Sequence, residues 1–215
     1  MSSLIKWFIK ITGVIPELIY FKKKIYYVNK KKQSRKIKKA AIIISNHHAV
    51  MDYGLQMFTF YSRNLYTLAG EVLYKKSKIF TWFLKQIGAI KVDRDSYNFG
   101  FMNDALKVLK KNKVLSIFPE GRLRRPGEEK MLPFKPSFVY LALESGAPII
   151  PMYSDGGFKN RKRTNVIIGE PINLSDLYDC SLDEKTNIDY LCQYVYNYIL
   201  NLGDELNGKA KAKQK

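Results

Sequence analysis

Five short apolar runs, AAIII (residues 40–44), LYTLA (65–69), GAIKV (88–92), KVLSIF (113–118) and APIIPMY (147–153), recur along the middle of the chain. Between them lie longer stretches with helical spacing, which predict helices over 49–61, 77–86, 98–111 and 136–145, the last stopped by Gly146. Near-continuous apolar runs are what strands buried on both faces look like, and strands that alternate with helices must be joined by crossovers. A further strand, NVIIG (165–169), and an amphipathic helix over 183–202 come next, the helix with Ile188, Leu191, Val195 and Ile199 three or four apart. The expected fold is α/β, a mostly parallel central sheet flanked by helices. With 215 residues the chain is long enough for one such domain and too short for two large ones.

The first 40 residues read differently. They hold twelve Lys and Arg against the single acid Glu17, so +11 of the formal +18 lies there. Residues 4–21 have the length of a membrane span, but Lys6, Lys10 and Glu17 are expensive at mid-bilayer and Gly13 and Pro16 interrupt the run. Lys6 and Lys10 share one helix face while Leu4, Ile5, Trp7, Phe8, Ile11 and Ile15 fill much of the rest, so the segment reads as a helix lying in a membrane interface. The basic run after it suits anionic headgroups, and no small-residue cleavage site marks a removable signal. A packing helix and then a solvated lysine linker is the plainer alternative. The expected organisation is a membrane-association segment over 1–40, a domain over 41–205 and a basic disordered tail over 206–215. Cys180 and Cys192 stand twelve apart without a CxxC or nearby histidine, which signals neither a zinc site nor a disulfide framework.

The chemistry-bearing residues gather at strand ends, where open α/β sheets place their sites. SNHHAVMD (45–52) contains the only two histidines, just ahead of Asp52. On a regular helix His48 and Asp52 share a face, whereas His47 points about 140° away. If the helix starts only after the histidines, the rule does not reach His47, and both remain candidates. Asn46 as a helix cap with incidental histidines is the plainer reading. No Gly-x-Ser-x-Gly elbow surrounds Ser45. The second cluster, FPEGRLRRPGE (118–128), supplies Glu120, a turn at Gly121 and the guanidinium forks of Arg122, Arg124 and Arg125. A third, GAIKVDRD (88–95), puts Arg94 after its own strand. Together these imply one pocket for an anionic substrate.

The residues from Asn46 to Asp52 resemble the His-x4-Asp motif of the glycerolipid acyltransferases, the 1-acyl-sn-glycerol-3-phosphate acyltransferase group in particular. GAIKVDR (88–94), FPEGR (118–122) and APIIPM (147–152) look like that family's second, third and fourth motifs, in order, and IIGEPI (167–172) is similar to the strand and turn after the fourth. The resemblance implies that His47 is a general base oriented by Asp52. It also implies that Asn46, Arg94, Glu120, Gly121 and Arg122 serve a lysophospholipid acceptor. Two departures stand out. Ala49 occupies a position that many members fill with Ser or Thr. The third motif reads Glu-Gly-Arg-Leu where many have Glu-Gly-Thr-Arg, so Arg122 or Arg124 is the functional arginine. The implied partners are an acyl-CoA or acyl-carrier-protein donor, a lysophospholipid and an anionic membrane surface. No cofactor and no metal is implied, and the implied location is the cytoplasmic face of a membrane, peripheral or monotopic. A non-enzymatic polyanion binder is the competing class, but no nucleic-acid-binding signature appears and nucleic acid is not an expected partner.

Overall fold

A computed structural model describes residues 3–92, 100–125 and 127–212. Seven strands form one sheet in the order β1-β7-β6-β2-β5-β3-β4. They are β1 (Lys24–Tyr27), β2 (Ala41–Ser45), β3 (Leu65–Gly70), β4 (Ala89–Val92), β5 (Val114–Ile117), β6 (Ile149–Ser154) and β7 (Asn165–Ile168). Every pairing is parallel except β6 with β7. The six expected strands are all present, and the expected mostly parallel α/β architecture is observed.

All five residues of β2 are buried, as are the four of β5, because helices cover both faces of the sheet. On one face α5 (Gly100–Lys110), α6 (Ser137–Ser145) and α7 (Glu184–Ala212) pack Leu106, Phe138, Leu191, Val195 and Ile199 against Ile42, Ile44, Leu115 and Ile117. On the other, α1 (Ser3–Phe21) and α2 (Asp52–Thr59) bring Phe21 and Leu55 against Ile43, Val114 and Ile150. Two further helices, α3 (Glu71–Tyr74) and α4 (Lys78–Gln86), lie between β3 and β4. Gly146 ends α6 in the left-handed conformation, φ +64°, where a glycine carries no Cβ penalty.

The front end is not a separate segment bounded at residue 40. Inside the lysine-rich run, KIYY forms the edge strand β1, paired in parallel with β7, with Tyr26 buried against Leu202 and Leu206. Helix α1 is amphipathic as expected, but its charged side faces the protein. Lys6, Lys10 and Glu17 are buried, while Leu4, Phe8, Ile11, Ile15 and Ile19 are all more than 60% exposed. The buried charges have partners: Lys6 Nζ donates to Leu65 O at 3.3 Å, Lys10 Nζ to Tyr61 O at 2.7 Å and to Arg63 O, and Glu17 pairs with Lys23. Burial still disfavours the ammonium charges, and Lys6, Lys10 and Lys23 are each pulled down to about 8. The plainer alternative, a packing helix and then a solvated linker, does not describe this segment: the basic side of the helix is packed, its apolar side is bare, and the lysine-rich run carries β1. Among the described residues no helix is long and apolar enough to cross a membrane.

The C-terminal end also differs from expectation. Helix α7 does not stop near 202 before a disordered tail, but runs on to Ala212. Leu206 is buried, and Lys209 Nζ donates to Tyr27 O at 2.7 Å, so the last turns are tied to β1.

Lys10→Ala should destabilise the protein by about 1–3 kcal/mol, because two inward carbonyls lose their donor. Between pH 8 and 10.5 the unfolded chain holds the Lys10 proton that the folded chain has released, so raising pH favours the folded wild type. The difference from the alanine variant should therefore be constant below about pH 8 and widen above it. Paired denaturation curves at several pH values check both the size and the direction.

Candidate active site

The C-terminal ends of β2, β5 and β6 meet at one edge of the sheet. At the end of β2, Asn46 is 1% exposed and both ends of its amide engage one backbone unit of β6: Oδ1 accepts from Ser154 N at 3.0 Å and Nδ2 donates to Ser154 O at 2.9 Å. Asn46 is therefore a clip between strands, which corrects its expected place among the substrate contacts. The chain then turns through both histidines before α2 begins at Asp52. Because the helix starts after the pair, the i, i+4 rule does not govern them.

Asp52 closes this turn with a single oxygen. Its Oδ2 accepts from His47 Nδ1 at 2.9 Å, His48 N at 2.5 Å and Ala49 N at 2.8 Å, while Oδ1 is buried with no partner among the described residues. The negative charge also sits in the first turn of α2, where the helix dipole favours it. The structure thus brings the ring of His47 to Asp52 and only the backbone of His48. His47 is held from a second side by Phe118, whose ring stacks on it at 4.3 Å and 20°. With Nδ1 on a carboxylate and Nε2 without a protein partner among the described residues, His47 has the arrangement of a proton acceptor.

Glu120 reaches the same turn from the end of β5. Its Oε1 accepts from His47 N at 2.6 Å and Oε2 from Leu132 N at 2.9 Å, and it is 4% exposed. Burial pushes its carboxyl up, against the two backbone donors and Arg124, which favour the charge. Each oxygen holds one backbone donor, so Glu120 braces the His47 backbone. Gly121 turns the chain at φ +72°. The Lys135 side chain lies across it, its Cε 3.1 Å from where a Cβ at 121 would stand, so any larger residue would displace the lysine.

The two candidate arginines have opposite surroundings. Arg122 is exposed and forms a two-point pair with Glu128, at 2.8 and 2.7 Å, and the guanidinium holds the Glu128 carboxyl down to about 2. Its charge is matched. Arg124 is half-buried and bonds only neutral acceptors, donating to Glu129 O at 3.1 Å and to His48 Nδ1, with its Nε–H buried and unpartnered among the described residues. It forms no salt bridge among the described residues, and the Glu120 carboxyl feels its charge. Arg94 lies outside the described residues.

His47 opens onto a cavity of about 1610 Å³. Its walls are mostly apolar, drawn from α1 (Gly13, Pro16), α2 (Met57, Phe58) and α4 (Phe80, Phe83), with Phe118 beside the histidine and Lys135 lying across Gly121. Phe118 and Lys135 are the residues that sequence reasoning missed. Phe118 stands at the head of the FPEGR run already singled out, whereas nothing in the spacing of Lys135 marks it. Among the described residues no three His, Cys, Asp or Glu side chains come together as a metal site.

Comparison with known proteins bears on this site. The sequence model of the acyltransferase family matches residues 24–155. A 1-acyl-sn-glycerol-3-phosphate acyltransferase of Limnanthes alba is 37% identical over 110 residues, which is 49% of this chain and 38% of that protein. Its namesake in Bacillus subtilis is 31% identical over 130 residues, 58% of this chain and 62% of the relative. The matched segment thus spans less than two thirds of either relative's length. The crystal structure of the 1-acyl-sn-glycerophosphate (LPA) acyltransferase PlsC from Thermotoga maritima superposes with a TM-score of 0.64 at 18% identity, over 93% of this chain and 80% of that one, a likeness of fold.

Asp52→Ala should destabilise the protein by at least about 2 kcal/mol, because three donors lose one acceptor at once. Asp52→Asn, which keeps an oxygen there, should lose markedly less. Urea denaturation of the two variants separates these outcomes.

Proposed function

This chain belongs to the acyltransferase family, and from that premise we propose that it moves a fatty acyl group from a thioester, acyl-CoA or acyl-carrier protein, to the free hydroxyl of a lysophospholipid. The proposed acceptor is 1-acyl-sn-glycerol-3-phosphate, for which the relatives are named, and the product phosphatidic acid. The observation that carries this reading is a histidine–carboxylate pair that opens directly onto a large apolar cavity, with Lys135 among the residues that line it.

On this reading the acyl chain lies in the cavity between α1, α2 and α4, with its thioester carbonyl next to His47 Nε2. His47 takes the proton from the acceptor hydroxyl as its oxygen attacks that carbonyl. Collapse of the tetrahedral intermediate forms the ester C–O bond and breaks the C–S bond, and the imidazolium returns the proton to the departing thiolate. Asp52 stabilises the imidazolium in between and fixes its tautomer. Base catalysis of this kind is worth about 10²–10⁴-fold. Arg124 and Lys135 meet the acceptor phosphate, with Arg94 assigned to the same group by resemblance. Arg122, already matched by Glu128, has the smaller part.

The bare apolar side of α1 gives the reading its membrane. Leu4, Phe8, Ile11, Ile15 and Ile19 rest in the hydrocarbon edge of one leaflet, with Ile79 and Trp82 of α4 also exposed beside the cavity, and nearby lysines meet anionic headgroups. Attachment is peripheral or monotopic, at the cytoplasmic face. A lipid substrate then enters the cavity between α1 and α4 without crossing water.

Acyl transfer to lysophosphatidic acid should fall about 10²–10⁴-fold in His47→Ala at saturating substrates, and wild-type turnover by that variant would sink the proposed base. Arg124→Gln should raise the acceptor KM by about tenfold or more, the equivalent of one charged contact, whereas Arg122→Gln should change it by less than about threefold on the same scale. Replacing Phe8 and Ile15 together with Glu should abolish flotation with vesicles containing anionic lipid; undiminished flotation would remove α1 from the membrane.

A further inference from the structure

His48 is a half-buried titratable group that the reaction above does not use, yet its surroundings are built around it. Its Nε2 lies 2.8 Å from Ser154 O and 2.9 Å from Asn46 Nδ2, and its Nδ1 receives Arg124 Nη2. Gly156 faces the ring at φ +66°, and a Cβ there would come within 2.8 Å of His48 Cγ, so the ring packs flat against a position only glycine fills without displacement.

The hydrogen bonds fix the tautomer. Asn46 Oδ1 must accept from Ser154 N, which orients its amide and leaves Nδ2 a donor to Ser154 O. A guanidinium has no acceptor, so Nδ1 of His48 must carry the lone pair. The neutral ring then holds its proton on Nε2 and donates it to Ser154 O, so that Nε2 and Asn46 Nδ2 are two donors sharing one carbonyl rather than partners of each other. Burial supports this by pulling the His48 imidazolium below its ordinary range, with Arg124 and Lys159 acting in the same direction. Asp52 and the Ser154 carbonyl act in the other.

We infer that His48 is a positioning residue which, by accepting from Nη2, turns Arg124 so that its guanidinium, which forms no salt bridge among the described residues, is aimed at the acceptor phosphate. The inference rests on the acceptor reading above. It gives the two neighbouring histidines separate tasks. The rigid frame runs from Ser154 on β6, through the His48 ring, to the guanidinium, with Glu129 O holding the other arm. A carboxylate at position 48 could hold Arg124 as firmly, but it would match the charge, as Glu128 does for Arg122. A neutral acceptor orients the guanidinium and leaves it cationic.

The test is steady-state kinetics with lysophosphatidic acid varied at saturating acyl donor, with thermal unfolding as the check on folding. The variants are His48→Ala, His48→Gln, Arg124→Gln, and the double variant that combines His48→Ala with Arg124→Gln. Glutamine can donate to Ser154 O and accept from Arg124 through atoms spaced like the two ring nitrogens. His48→Ala should raise the acceptor KM about tenfold, the loss of one charge-assisted contact, with kcat within about threefold of wild type. His48→Gln should restore KM to within about threefold of wild type. In the Arg124→Gln background, removing His48 should add nothing further. The inference is overturned if His48→Ala leaves KM unchanged in a folded protein, if it raises KM equally with and without Arg124, or if glutamine behaves as alanine does. An Arg124→Gln variant with unchanged acceptor KM would overturn the acceptor reading itself and this inference with it, an outcome distinct from a silent His48.

Discussion

One oxygen, Oδ2 of Asp52, accepts from His47 Nδ1, His48 N and Ala49 N, and the geometry of the sheet edge depends on it. Three donors on a single acceptor force the chain to curl between the end of β2 and the start of α2, instead of running straight from strand into helix. That curl separates two adjacent histidines: one ring turns to the carboxylate and Phe118, the other to Ser154 and Arg124. Asn46 and Glu120 then anchor the curl on either side, to β6 and to the turn after β5. The site is three strand ends laced together by buried polar side chains. Part of its rigidity comes from Asn46 and His48, which bond the backbone of Ser154 in β6.

The second constraint is the inverted polarity of α1. Burying Lys6, Lys10 and Glu17 is unfavourable unless each finds a partner, and each does, in carbonyls of residues 61, 63 and 65 or in Lys23. Those carbonyls lie in the connection between α2 and β3 and at the first residue of β3, so the helix is tethered beside the cavity by polar contacts while its apolar side stays exposed. An exposed apolar stripe of this size on a soluble surface is a liability, whereas at a lipid surface it is a means of attachment. The same helix lines the cavity with Gly13 and Pro16. On the proposed function, attachment to the membrane and access to the acyl chain are therefore two sides of one element.

Much of the fold was legible because buried parallel strands leave a strong local signature: AIIIS and VLSI are apolar but for one serine each, as strands between two helical layers are. KIYY was hidden because an edge strand needs to bury only one side, here Tyr26, and its lysine neighbours read as a solvated run. The extra turns of α7 were hidden for a related reason, since Leu206 and the Lys209 contact to Tyr27 exist only once β1 is in place. At the site, residue types were legible and their tasks were not. Asn46 and Glu120 look like groups that face a ligand, yet both are filled by backbone partners contributed from distant segments. The helical spacing favoured His48 because spacing carries no information about where the helix begins.

The two arginines show what a partner's charge decides. Arg122 and Arg124 are chemically identical and two residues apart, so a turn of ordinary geometry sends them in different directions. Arg122 meets a carboxylate and becomes part of the loop's own structure. Arg124 meets a carbonyl and an imidazole, both neutral, and forms no salt bridge among the described residues, although the Glu120 carboxyl feels its charge. A half-buried guanidinium without a directly bonded anion is unfavourable in the empty protein, and an arriving phosphate would relieve that cost. On the proposed reading, the second histidine explains how a motif whose arginine is displaced can still direct a guanidinium to the acceptor: the side chain is displaced in sequence and returned in space by a neutral acceptor fixed to β6.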